Sequence, residues 1–252
     1  MLDTSALGRA PEVPDFSAWD PTLAAKLHHG SHAVAAVADI VTQPPRPVAL
    51  DIEAGGLGAK AFNLRCVTAA WDTTDGTYSV ILDPRRADHA EAVRRLASWA
   101  GLLVLHNAAY DWPVLYQYGL VSLEHTAKVW DTVVAARMAF PDPLVKKDLA
   151  SLVTRRDLVG MEDTDVTMAV AFKAAGFSTQ KQGWETMDVD SPVYRLGAMA
   201  DTVATRGPVD RHGADLCEVL PQHVQRAATD DLAVEFGHPE LLDGLVERDE
   251  VR

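Results

Sequence analysis

Cysteine is almost absent: Cys66 and Cys217 are the two in 252 residues, far apart and in apolar surroundings. That excludes a disulfide-stapled fold and a thiolate metal cluster, and it predicts buried thiols in a reduced, cytoplasmic setting. Long apolar runs are missing as well. None reaches the ~18 residues that a membrane-spanning helix needs. The first residues, MLDTSALGRAPEVPDF, lack a basic start followed by an apolar core, so no secretory signal is expected. Positive charge is scarce too, with 23 Lys and Arg against 36 Asp and Glu, a net charge of −13. A protein that coats nucleic acid through bulk charge is basic, so that class is disfavoured. An enzyme that gathers carboxylates around metal ions remains compatible. Hydrophobic residues make up 48% of the chain, enough for a packed core.

The periodicity predicts an α/β plan. A helix is expected between residues 17 and 41, broken near Gly30 and stopped by PPRP. Three strands follow in VALDIEA, FNLRCVTAAW and TYSVILD, an antiparallel meander. Then come the amphipathic helix ADHAEAVRRLASWA, a short buried strand in LLVLHN, and a helix starting after Asn107 as its cap. WDTVVAARMAF, LVKKDLASLVTRR and DTDVTMAVAFKAAG read as helices, the last capped by Asp163 or Thr164. FSTQKQGWETMDVD reads as a loop. SPVYRLGAMADTVATR reads as a helix with Ser191 as cap and Pro192 in its first position, and residues 209–228 as another.

Acidic residues stand at four places in this plan. Asp51 and Glu53, two apart on a strand, share a face at its end. Carboxylates so placed repel unless a cation lies between them, and hard divalent ions take such oxygens. Asp111 lies one turn into the helix after Asn107, near its positive end. Asp131, before Thr132, reads as a helix start with a supporting role. Asp201 lies within a helix of small and apolar residues, where a lone carboxylate is costly.

In this order the segments PVALDIEAGGL, LLVLHNAAYDWPVL and PVYRLGAMADTVAT resemble the three motifs of the DEDD family of 3′–5′ exonucleases. The likeness is greatest to the proofreading domains of A-family, phage-type DNA polymerases, and covers about residues 35 to 208. It implies a ribonuclease-H-like fold: a mixed central sheet of three antiparallel strands and then a parallel one, flanked by helices. It implies catalysis by Asp51, Glu53, Asp111 and Asp201 around two Mg²⁺ or Mn²⁺ ions, roughly 3.5–4 Å apart. Asp51 would bridge both ions, Glu53 and Asp201 would hold the one that carries the nucleophile, and Asp111 the other through water. Leu57, Phe62, His106, Asn107 and Tyr110 would contact the substrate. The expected substrate is a single-stranded DNA 3′ end, released as nucleoside monophosphates. An RNA-directed exonuclease, and a weak or inactive module that binds nucleic-acid ends, stay open as alternatives.

One departure stands out. The tyrosine branch of the family carries a Tyr four residues before the last Asp, and here that position is Gly197. Tyr194 is seven before Asp201, about 10 Å away along a straight helix, which leaves it a supporting role only if the helix bends. The sequence therefore predicts that Gly197→Tyr restores an orienting phenol. The expected partition is an N-terminal extension, partly helical, over residues 1–34, an exonuclease-like domain over 35–228 and an acidic tail over 229–252. No polymerase region follows in the chain, so a separate polymerase or replication protein is the expected partner, with no membrane involved.

Overall fold

A computed structural model describes residues 25–56, 58–154 and 164–219. Leu57, Asp163 and the tail 229–252 lie outside the described residues. The chain divides into a compact unit of residues 1–211, which holds the sheet, and a second of residues 212–252, of which the described part is helical.

Six strands form one sheet: β1 (Ala25–His28), β2 (Pro47–Ala54), β3 (Leu64–Thr73), β4 (Gly76–Leu82), β5 (Leu102–Leu105) and β6 (Val129–Asp131). Their spatial order is β1-β4-β3-β2-β5-β6. β2, β3 and β4 form the antiparallel meander, and β5 joins β2 in parallel. β6 extends the sheet in parallel beyond β5, and β1 lies parallel to β4 on the other edge. This is a ribonuclease-H-like mixed sheet.

The helices are α1 (Gly30–Ile40), α2 (Ala87–Trp99), α3 (Ala108–Gln117), α4 (Thr132–Ala139), α5 (Leu149–Val153), α6 (Thr164–Ala174), α7 (Gln180–Thr186) and α8 (Pro192–Val219). Strand alternation sends β2 to two cores. Val48, Leu50 and Ile52 join the α1, α2 and α3 side, where α1 buries Ala33, Val37 and Ile40 at helical spacing. Ala49 faces the other side, against Leu196, Ala200, Val203 and Ala204 of α8. Asp51 and Glu53 continue the Ala49 series, so the pleat aims both acids at the α8 layer. Arg206 of α8 pairs with Asp72 of β3 and fastens the helix to the sheet. Among the described residues, no helix is long and apolar enough to cross a membrane.

Three local expectations are corrected. Residues 25–28 form an edge strand rather than helix: Ala25 and Leu27 pack inward while Lys26 projects to Asp75. Four residues are too few for periodicity to separate the two states, and pairing with β4 decides. Residues 129–131 form a strand before α4 begins. The polar stretch 180–186 is a helix, because Thr179 caps it through the Gln182 N–H and Gly183 lets it lie on Phe172 of α6. A Cβ at position 183 would meet that ring at 2.3 Å.

Candidate metal centre

β2 ends in Asp51 and Glu53, and α8 carries Asp201 above them. Carboxylate oxygens of these three lie within 4.8 Å of one another. Asp111, on α3, is 3% exposed and within electrostatic reach of both Asp51 and Glu53. The structure thus draws together three of the acids singled out in the sequence, with the fourth beside them.

Asp51, Glu53 and Asp201 are half-buried and Asp111 is buried, so these anions crowd one another with limited access to water. Burial raises the Asp51 carboxyl to about 7, against partial relief from the Ile52 backbone N–H. Burial also raises Glu53 well above the usual carboxylate range. Asp51, Asp201 and Asp111 add to that rise, and Arg65 opposes it. Asp111 is raised by burial first, then by Asp51 and Asp131. Holding such a set ionised calls for a cation among them. Cys66 pairs with Glu53 across the β2–β3 ladder. Its thiol is buried and pushed up by burial and by the charges of Glu53 and Asp51. Among the described residues, the ligand atoms that converge are those of Asp51, Glu53 and Asp201, and the thiol is not one of them. The donor set is oxygen only, which fits Mg²⁺ or Mn²⁺ and disfavours softer metals.

Asp131 fixes the frame. Its carboxylate accepts hydrogen bonds from the N–H groups of Val133 and Val134 at the start of α4, 2.8 and 3.4 Å, and of Asn107 and Ala108 at the start of α3, 3.2 and 2.9 Å. One side chain therefore satisfies both helix starts. The expected Asn107 cap is not made. Asn107 is left-handed, with φ 67°, and its side chain makes no capping bond. His106 is half-buried, held by the Thr132 hydroxyl at 2.8 Å, and burial lowers its pKa. The His106 side chain thus ties the end of β5 to the start of α4, while the Asn107 side chain is exposed.

The loop after β2 is bound to α3. The Tyr110 hydroxyl donates to the Gly56 carbonyl at 2.8 Å. Phe62 ends the 3₁₀ turn Gly58–Phe62 and leaves 46% of its surface in solvent.

The space one turn before Asp201 corrects the expectation drawn from the sequence. A Cβ at Gly197 would meet Cε and Sδ of Met168 at 2.5 Å and Cη2 of Trp184 at 2.8 Å. α6 and α7 fill the place where a Tyr was expected to fit. Trp184 is itself wedged edge-on between Phe172 and Tyr194, with ring centroids 4.9 and 5.1 Å away. The Arg65 guanidinium donates to the carbonyls of Trp184 and Met187, which anchors α7. It also stacks over the Tyr194 ring, 4.8 Å from its centroid. Tyr194 is fully buried, with the Cys66 thiol beside its hydroxyl. Burial and the nearby Cys66 and Glu53 raise its pKa. Its phenol sits among the α6, α7 and α8 side chains, Met168, Phe172 and Met199 among them. Arg65 has no local sequence signature; the carbonyls it binds, on Trp184 and Met187, are more than 100 residues away in the chain.

No family model matches the chain, and no curated protein matches it. Among solved structures, it is similar to one described as the apo form of a nuclease, with 16% identity, 75% of this chain and 83% of that chain covered, and a TM-score of 0.47. It is also similar to the EXO domain of Aedes aegypti Nibbler, with 16% identity, 83% and 96% covered, and a TM-score of 0.49.

Proposed function

We propose that this chain is a divalent-metal-dependent 3′–5′ exonuclease of the DEDD type, which shortens single-stranded DNA ends to nucleoside monophosphates. The observation that supports this reading is the meeting of Asp51, Glu53 and Asp201 within 4.8 Å, in the order of motifs the sequence carries. Asp51, Glu53, Asp111 and Asp201 would hold the metal. When bound, divalent ions make an attacking water more acidic and stabilise a leaving oxygen on a phosphodiester.

The remaining groups position and exclude. Tyr110, tied to Gly56, walls the cluster on the α3 side. Phe62 offers an exposed ring for a terminal base. No phenol stands one turn before Asp201, since Gly197 is covered by Met168 and Trp184. A positioned acid–base group typically contributes 10²–10⁴-fold, so turnover slower than in an enzyme with that group is expected. The same filled space favours a second reading, a weak or inactive module that binds nucleic-acid ends or a replication partner.

A 5′-labelled single strand incubated with Mn²⁺ separates them. The exonuclease reading expects a ladder shortened from the 3′ end, slowed by a 3′-phosphate, and abolished in Asp51→Ala. An RNA strand in parallel reports the choice of sugar. Cutting of a circular single strand contradicts an exonuclease. Tight binding of the linear strand with no shortening favours the binding module.

A further inference from the structure

A β-bulge lies beside the acids. On the β2–β3 ladder Glu53 pairs with Cys66, and the next residue, Ala54, pairs with Leu64. Arg65 between them has no partner on β2, and pairing with β4 begins only at Val67. Such a bulge re-aims a side chain. Strict alternation would put Leu64 and Cys66 on one face of the sheet and Arg65 on the other. Instead, Leu64 packs on the side of α1, α2 and α3, while Cys66 and Arg65 both meet Tyr194 of α8. There the guanidinium donates to the carbonyls of Trp184 and Met187, at the end of α7, and lies over the Tyr194 ring. α7 in turn touches the elements on which two of the acids stand. The Trp184 indole covers Gly197 of α8, one turn before Asp201. Glu185 reaches the loop that leaves Glu53, its Oε1 3.3 Å from where a Cβ at Gly56 would stand.

We infer that Arg65 is a positioning residue for the metal centre: re-aimed by the bulge, its guanidinium clamps α7 and α8 to the end of the β2–β3 ladder and so sets the spacing between Glu53 and Asp201. This role rests on the metal-centre reading given above. Two features favour a clamp over a plain counter-ion. The hydrogen bonds of Arg65 go to carbonyls and not to a carboxylate. A planar guanidinium can also serve two acceptors with its edge while its face stacks on a ring, which an ammonium cannot do. Residues that hold metal ligands in place typically cost about 10–100-fold in metal affinity when they are lost. Charge alone acts in the opposite direction. A cation near Glu53 repels a divalent ion, so removing it would tighten binding, whereas releasing the clamp weakens it.

Titration of metal-free protein with Mn²⁺ at pH 8, read from the free ion's paramagnetic resonance signal, decides between them. Arg65→Met is expected to weaken Mn²⁺ binding about tenfold or more. Arg65→Lys keeps the charge but cannot serve two carbonyls and a ring at once. It is expected to weaken binding as well, and it answers the question if Arg65→Met does not fold. Val37→Ala, in α1 on the other side of the sheet, loses core packing without touching the clamp. It is expected to bind Mn²⁺ as wild type does. An Arg65→Met protein that binds as tightly as wild type or more tightly, an Arg65→Lys protein that matches wild type, or a Val37→Ala protein weakened as much as the Arg65 variants overturns the clamp. No binding by wild type overturns the clamp and the metal centre together. Arg65-dependent binding of Mn²⁺ without shortening of a single strand would instead sink the nuclease reading and leave the clamp standing.

Discussion

Metal-free protein is expected to lose stability as pH rises from about 4 to about 7, and Mn²⁺ is expected to reverse that trend. An unfolded Asp titrates near ~3.9, whereas folded Asp51 titrates at about 7. Between those values the folded state keeps a proton that the unfolded state has lost. Stability therefore falls as pH rises through this window. Glu53 and Asp111 are raised for the same reason and act in the same sense. An ion among the carboxylates takes over the role of the protons. A ligand at a hundred times its dissociation constant adds about 2.7 kcal/mol. For a chain of this size that is roughly 5–10 °C in melting temperature. At pH 8 we expect millimolar Mn²⁺ to raise the melting temperature by about that much, and at pH 5.5 by less than half of it. Asp51→Asn should melt higher than wild type in a metal-free buffer at pH 8 and gain little from Mn²⁺. Thermal denaturation of both proteins across pH, with and without the ion, measures all four conditions. A wild-type melting curve that ignores Mn²⁺ at pH 8 contradicts the site.

The second large effect concerns Gly197. Gly197→Tyr is expected to lower the melting temperature sharply and to bring no gain in turnover. Replacing a helical Gly recovers about 0.5–1 kcal/mol. Against that, the new Cβ alone would stand 2.5 Å from Met168 and 2.8 Å from Trp184. The phenol beyond it has no space, and overpacking of this kind costs about 1–3 kcal/mol or more. Met168 can bend away; Trp184 cannot, since Phe172 and Tyr194 hold its two sides. The obstacle is therefore the indole. Trp184→Ala combined with Gly197→Tyr should be less destabilised than the sum of the two single changes, because each relieves the other. Calorimetry of the four proteins gives the coupling. A Gly197→Tyr protein that melts with wild type would show that α7 yields to the new side chain.

The parts of this molecule that its sequence reveals are those whose cause is local. Asp51 and Glu53 are legible because a strand alternates and both acids fall at its end. The meander is legible because its three strands are contiguous and alternate. Asp111 follows from a helix start, although the residue that satisfies that start is Asp131, 24 residues on, and not Asn107. Asp201 needs the order of motifs, for a mid-helix acid has no signature of its own. The filling of the Gly197 space is not legible at all. It depends on α6 and α7 crossing α8, on Gly183 admitting Phe172, and on Arg65 anchoring α7 from a strand more than 100 residues earlier. A polar stretch such as 178–190 gives no periodic cue, so its helix is known only once its partners are in place.

Binding of a divalent ion by these carboxylates is the property on which the proposed activity rests. Its most direct measurement is titration of metal-free protein with Mn²⁺ at pH 8, read as loss of the free ion's paramagnetic resonance signal. Wild type is predicted to bind at least one ion per chain saturably, with Asp51→Asn and Glu53→Gln weakened tenfold or more. Free signal that rises in step with added Mn²⁺ into the millimolar range, or an Asp51→Asn protein that binds as wild type does, would contradict it.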